Sequence, residues 1–173
     1  MNNDLLEIFK NVNDWLKHAE AKNAMLVAFD GAAIFGLAQL HSAHFIKNSE
    51  LLSYSIIGAI GFLTVSSIIA LISFSPQLSF KPETGVAMQR EKNPIFFEYL
   101  RKIPTWKIGK QITGEDFIKL SSIDQDLAEQ IRQNSIITSS KYWHFKIAVW
   151  ITSIVFIVVL LISLIYFFNS LNN

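Results

Sequence analysis

Two long stretches of the chain are apolar throughout and carry no charged side chain. Tyr54–Phe74 is such a run of 21 residues, and Ile147–Phe168 is one of 22. About 18 or more apolar residues in a helix suffice to cross a hydrocarbon core about 30 Å thick. A helix at the surface of a soluble protein has a charged or polar stripe, which these two lack. The pattern therefore predicts membrane helices at about 54–74 and 144–168.

A third stretch, Ala24–Ile46, holds a few polar side chains, but its length and apolar character also predict a membrane helix. Residues 1–22 precede it and repeat apolar positions at helical spacing, with charges on the opposite face, which predicts an amphipathic helix. That helix could lie on the membrane surface, or it could pack against the middle of the chain. The pattern favours neither alternative.

Residues 76–143 form the middle segment, in which Pro and Gly recur up to Gly114. From Ile123 to Phe168 the chain has neither residue, so we expect one long helix that enters the last membrane span. Ser122 and Gln125 have the spacing of a capping box at its start. The predicted fold is an all-α membrane protein with about three transmembrane helices, an α-helical cytoplasmic segment and a short tail at 169–173.

The basic residues are distributed unevenly between the predicted loops. Of the 15 Lys and Arg residues, three precede the first span, Lys47 follows it, and eleven lie between Lys81 and Lys146. The positive-inside rule then places the N-terminus and the middle segment in the cytoplasm. The net charge of +1 gives no reason to expect a nucleic-acid partner.

The first span has two unusual sides. Ala24, Ala28, Ala32 and Gly36 recur every four residues, a spacing that lets helices approach closely in lipid. Asp30 lies on roughly the opposite side, with Lys22 two turns before it. Because a carboxylate facing lipid is costly, Asp30 either lines a polar path or gating contact, or lies near the boundary and pairs with Lys22. We expect this span to be central or the chain to form a homo-oligomer around it.

Motifs that carry catalysis are absent from the sequence. It has no phosphate-binding glycine motif, no nucleophile elbow and no cysteine. His41 and His44 have the i, i+3 spacing of metal ligands on a helix, but no third ligand is near apart from Glu50, so a polar loop boundary is the favoured interpretation. We therefore expect a non-enzymatic protein with no catalytic residues, no metal and no bound cofactor.

Three segments resemble a known family. They are "WLKHAEAKN" at Trp15–Asn23 with "FDG" at 29–31, "NPIFFEYL" at Asn93–Leu100, and "QIRQNSIITSSKY" at Gln130–Tyr142. In order and spacing they resemble the Pycsar transmembrane effector family. The family more often has Asn before the glycine of "FDG", where this chain has Asp30.

This resemblance implies an effector of bacterial antiphage defence at the inner membrane. A neighbouring cyclase would make cyclic CMP or cyclic UMP on infection, and the effector would respond by impairing the membrane, so that the cell dies before the phage matures. Alternatives from other classes are a structural or accessory subunit of a membrane complex, or a small channel-like protein.

A cyclic nucleotide is an anion with a flat base, so it favours an arginine beside an aromatic ring. The stretch from Arg90 to Trp106 contains both kinds of residue, which makes Arg90, Phe97, Arg101 and Trp106 the candidate ligand-binding residues. The alternative, that Phe97 belongs to the core of the middle segment, is the one that the sequence favours.

Overall fold

The computed structural model describes residues 1–42, 50–75, 93 and 95–171, with side chains up to 168. These residues form five α-helices, a 3₁₀ turn and no strand. The elements are α1 (Asn3–His41), α2 (Glu50–Ile72), α3 (Phe97–Leu100), α4 (Thr105–Thr113), the turn Phe117–Lys119 and α5 (Ser122–Leu171). The all-α prediction is confirmed.

Helices α1, α2 and α5 are long and apolar enough to cross a membrane, as predicted. The amphipathic helix and the first span, which the sequence analysis treated as two elements, form one continuous helix in α1. No Pro or Gly lies between Asn3 and Asp30, so nothing in the sequence ends the first part. The last span continues from a long helix as expected, since α5 has 50 residues.

The chain divides into two compact units. The first unit is Met1–Ala21 with Ser75–Trp143, and the membrane unit is Lys22–Phe74 with His144–Asn173. Leu5 and Val12 of α1 are fully buried in the core of the first unit, where they meet residues of α4 and α5 such as Ile108 and Ile131. Of the two alternatives for the amphipathic face, the structure therefore has packing against the middle segment.

Hydrogen bonds cap α1 and α5 and join their N-termini. The Asn2 side-chain oxygen accepts from the backbone N–H groups of Asp4 and Leu5. At the start of α5, Ser121 Oγ accepts from the N–H of Asp124 and donates to its carboxylate. Asp124 also accepts from the N–H of Asn2 at 2.7 Å. The cap of α5 therefore begins one residue before the predicted Ser122.

Helix α4 lies close to the 3₁₀ turn because Gly109 has no side chain. A Cβ atom at this position would come within 2.9 Å of side-chain atoms of both Phe117 and Leu120. Ile108 beside it is fully buried in the core of the first unit. These contacts fix the position of α4 against the rest of the unit.

In the membrane unit, small side chains lie where α1, α2 and α5 cross. Ala70 and Ala148 pack with Leu26, and a second cluster contains Ala59, Leu63 and Val155. The outward side chains are mostly large and apolar, including Phe29, Phe62 and Leu161. An apolar surface of this extent is suited to lipid rather than to water.

Candidate functional site

The ring of Phe97 is enclosed by other aromatic rings in the first unit. It stacks on Tyr142 with centroids 5.5 Å apart and planes at 13°, and it lies 5.7 Å from Trp15. Phe97 is 5% exposed. Its faces are occupied by other rings, so Phe97 lies in the core of the first unit in this structure. A second ligand candidate, Arg90, lies outside the described residues.

Arg101 is held by an acidic neighbour. Its Nε donates to Glu98 Oε2 at 2.8 Å, and Ser139 Oγ donates to the other oxygen of the same carboxylate. Burial opposes ionisation of Glu98, but the hydrogen bonds from Ser139 and Arg101, with the nearby charges, outweigh it and lower the pKa of the carboxyl below its usual value. Arg101 is partly exposed and contributes charge to this surface.

Trp106 belongs to α4, and Arg132 of α5 contacts a residue that precedes that helix. Trp106, in the first turn of that helix, is 52% exposed. Arg132 of α5 is 5% exposed, and its Nε donates to the carbonyl of Ile103 at 3.2 Å. Sequence analysis did not select Arg132. Helical spacing was the available signal that Arg132 is buried. Ala128 and Ser135 lie on the same side of the helix as Arg132, and both are fully buried.

Asp30 is fully buried in the membrane unit, between α2 and α5. Its Oδ1 accepts a hydrogen bond from Thr152 Oγ1 at 2.9 Å, and its Oδ2 accepts a longer one from Ser67 Oγ at 3.4 Å. Ser66 Oγ lies 2.9 Å from Thr152 Oγ1 and donates to the carbonyl of Ala148. Because Thr152 gives its single proton to Asp30, the one proton of Ser66 is shared between the Ala148 carbonyl and Thr152 Oγ1.

We call Asp30, Ser66, Ser67 and Thr152 the Asp30 junction. Its hydroxyls satisfy both oxygens of the carboxyl group, whereas the Lys22 ammonium lies 5.9 Å from the ring centre of Phe145. The expected pairing of Asp30 with Lys22 is therefore replaced by bonds to α2 and α5. Such an arrangement agrees with the rule that an intramembrane acid faces protein rather than lipid.

The hydroxyl partners of Asp30 were not predicted from the sequence, although their depth in the membrane spans was a usable signal. The membrane unit has limits at Lys22, Phe74 and His144 along the chain. Asp30 lies eight residues after the first limit, Ser66 eight before the second, and Thr152 eight after the third. At about 1.5 Å per residue, each lies about 12 Å from the limit of the membrane unit. Equal depth in three adjacent helices places these side chains at one level.

The small-residue stripe lies on the outside of the membrane unit. Ala24, Ala28, Ala32 and Gly36 are all exposed, and a Cβ atom at Gly36 would meet nothing within 4 Å. The side of α1 that carries Asp30 is therefore buried within the chain, whereas the side that carries the stripe is exposed. Among the described residues, no three His, Asp or Glu side chains are grouped as metal ligands would be.

Comparison with known proteins bears on the whole chain. A family model described as the Pycsar effector protein domain matches residues 4–168. The Pycsar effector protein PtPycTM of Propioniciclava tarda is 27% identical over 142 residues, which cover 80% of this chain and 67% of that protein. No solved structure matches. The resemblance seen in the sequence is confirmed, and the chain belongs to the Pycsar effector family, whose members are transmembrane effectors of antiphage defence.

Proposed function

We propose that this chain is a nucleotide-gated effector that impairs the bacterial inner membrane. In this proposal a neighbouring cyclase makes cyclic CMP or cyclic UMP on infection, the first unit senses the nucleotide, and the membrane unit becomes permeable. The family assignment supports the defence role. The distribution of Lys and Arg supports an N-terminus and middle segment in the cytoplasm, where the nucleotide is made. The proposed action is not catalytic.

The hydrogen bond between Asp30 and Thr152 carries the proposal. Helices α1 and α5 each contribute residues to both units, and neither is interrupted. Asp30 is on α1 and Thr152 is on α5, so this bond joins the two helices that the units share. A helix transmits displacement along its length, because its backbone hydrogen bonds resist bending. A shift of α1 against α5 within the membrane unit would therefore act on this bond.

Breaking the Asp30 junction would have a large local cost. An unsatisfied carboxyl group in an apolar environment loses several kcal/mol unless water or another polar group replaces its partners. Entry of water into the membrane unit is one way to recover that energy. We infer that the resting state keeps the junction closed and that the active state hydrates it, which would allow ions to pass.

A permeable path requires more helices than one chain provides. The exposed stripe Ala24, Ala28, Ala32 and Gly36 has the composition of a close helix contact in lipid. A second copy of the chain fits this stripe, because two such surfaces can approach without bulky side chains between them. We propose a homo-oligomer in which α1 is the central helix.

Membrane potential in living bacteria tests the proposed function. Cells would express this chain with a cyclase that makes either cyclic CMP or cyclic UMP, and a voltage-sensitive dye would report the potential. We expect rapid depolarisation with one nucleotide, and none with an inactive cyclase. Well-expressed protein that depolarises with neither nucleotide would contradict the proposal and favour a structural subunit instead.

A further inference from the structure

Asp30 is the one Asp, Glu, Lys or Arg side chain in the interior of the membrane unit, within the part that the structure describes. The others in that part are Lys22, Glu50 and Lys146. Glu50 is the first residue of α2, Lys22 is at a limit of the unit, and Lys146 is two residues inside one. All three are exposed, whereas Asp30 is fully buried. The fixed charge inside the unit is therefore negative.

The described hydrogen-bond partners of Asp30 are hydroxyl groups, which offer oxygen atoms. Thr152 Oγ1 and Ser67 Oγ lie 2.9 Å and 3.4 Å from its two carboxyl oxygens. Ser66 Oγ lies 2.9 Å from Thr152 Oγ1 and 3.0 Å from the carbonyl oxygen of Ala148. Each hydroxyl has one proton, which these contacts use, and two lone pairs. The Asp30 junction is therefore rich in oxygen acceptors, the ligands that hard cations prefer.

Water in an opened Asp30 junction would surround a negative charge. A carboxyl group in contact with water is ionised at neutral pH. The rest of the membrane unit is apolar, so this charge is weakly screened, and it attracts cations and repels anions. In channels, Asp and Glu side chains select cations in this way, whereas Lys and Arg select anions. One carboxylate balances the charge of one monovalent cation, such as Na⁺ or K⁺.

The two lysines near the limits of the membrane unit are too distant to reverse this preference. Lys22 precedes Asp30 by eight residues, about 12 Å along α1. Lys146 precedes Thr152 by six residues, about 9 Å along α5. Both lysines are exposed, and exposed charges are screened over about 8–10 Å at physiological salt. The potential at the junction is therefore set by Asp30.

We propose that Asp30 makes the open membrane unit selective for monovalent cations, with the hydroxyl oxygens of the Asp30 junction replacing part of the hydration shell of the ion. This inference rests on the proposed function and adds to it the class of ion that passes. In the resting state the same oxygens are bonded to one another, so one group of side chains both closes the path and selects the ion. General disruption of the bilayer would instead pass cations and anions alike.

The zero-current potential of the full chain in a planar lipid bilayer tests the proposal. The bilayer would separate a concentrated from a dilute KCl solution, and cyclic CMP or cyclic UMP would be added to open the protein. We expect the dilute side to become positive, with K⁺ about tenfold or more as permeant as Cl⁻, because the carboxylate attracts one ion and repels the other. Equal permeabilities, or a preference for Cl⁻, would overturn the proposal.

Substitutions of Asp30 assign the selectivity to its charge. Asp30→Asn keeps the size of the side chain and removes the charge, so its permeabilities to K⁺ and Cl⁻ should agree within about twofold. Asp30→Glu keeps the charge and should stay selective for K⁺. The matched control is Glu50→Gln, which removes the other acidic side chain described in the membrane unit and should select K⁺ as the wild type does. Full selectivity in Asp30→Asn would overturn the proposal.

The same recordings separate this inference from the proposed function. A nucleotide-dependent current without cation preference would overturn the role of Asp30 in selectivity and leave the proposed function standing. No current with either nucleotide would contradict the proposed function, and this inference with it. The wild-type potential is decisive even if Asp30→Asn fails to insert into the bilayer, since an unselective wild type overturns the proposal without any variant.

Discussion

Thr152 donates a hydrogen bond to Asp30 inside the membrane unit, with the two oxygens 2.9 Å apart. The donor is on α5 and the acceptor is on α1, the two helices that supply residues to both units. Hydrogen bonds between membrane helices contribute modest free energies, commonly about 0.6 kcal/mol and up to about 1.7 kcal/mol. A contact of this size can hold a resting state and still be broken by a ligand of ordinary affinity.

Replacing Thr152 by valine should make the effector leaky. Thr152→Val keeps the shape of the side chain but removes the proton that Asp30 accepts and the oxygen near Ser66. We expect partial depolarisation in cells without any cyclase, because the resting state loses up to about 1.7 kcal/mol relative to the active state. The dye assay described above measures this directly.

The matched control is Thr64→Val, in α2. Thr64 is exposed, and its hydroxyl donates to the carbonyl of Ile60 in its own helix. Its replacement removes the same atoms without touching the Asp30 junction, so cells should keep their potential. Equal leakage from both variants, or none from Thr152→Val, would show that the junction does not hold the resting state.

Asp30 shows which features of the structure can be predicted from the sequence and which cannot. The apolar runs and the absence of proline determine the three membrane helices, because each depends on local composition alone. The partners of Asp30 depend on which faces of α2 and α5 meet α1, and Ser66, Ser67 and Thr152 are weak polar signals in otherwise apolar runs. Arg132 was missed for the same reason, since its burial is set by packing between distant segments.

Bulky side chains on the small-residue stripe should prevent association between chains. Ala28 and Ala32 are exposed, so Ala28→Leu and Ala32→Leu should leave the fold of a single chain intact. They would keep two α1 helices apart, and we expect the crosslinked oligomer in native membranes to fall by about tenfold or more. Depolarisation on nucleotide production should be lost in parallel.

Ser153→Leu provides the comparison for the stripe. Ser153 is exposed on α5, a different helix from the one that carries the stripe, and the change adds similar bulk in lipid. This variant should crosslink and depolarise as the wild type does. If the stripe variants still form the same oligomer, the contact between copies lies on another face and α1 is not the central helix.

The cap of α5 gives a separate test of the first unit. Ser121→Ala removes the hydroxyl that accepts from the Asp124 N–H and donates to its carboxylate. Loss of an N-cap costs about 1 kcal/mol, so the thermal midpoint of the full chain in detergent should fall by a few degrees. Ser122→Ala, one residue later and outside the cap, should change it little. A larger fall in the thermal midpoint for Ser122→Ala than for Ser121→Ala would instead support the capping box that the sequence predicts at Ser122.

Glu98 should make the stability of the first unit depend on pH through Ser139. The pKa of Glu98 is lowered from its ordinary value of 4.5, so its ionised form adds stability above pH 4.5, and this is lost as pH falls through the lower, folded-state pKa. Ser139→Ala removes one donor to that carboxylate. At pH 7 the variant should therefore be less stable by about 1 kcal/mol, a figure reduced for the partial exposure of Glu98.

The stability difference between the wild type and Ser139→Ala should shrink as the pH falls towards 3, because a protonated Glu98 no longer needs the donor. Ser135→Ala is the matched control on the same helix, since its hydroxyl donates to the carbonyl of Ile131, which does not titrate. Its effect should be the same at pH 7 and pH 3. Thermal unfolding of the full chain at both pH values measures the two differences. A constant difference for Ser139→Ala would mean that the Ser139 hydroxyl acts through packing and not through the charge of Glu98.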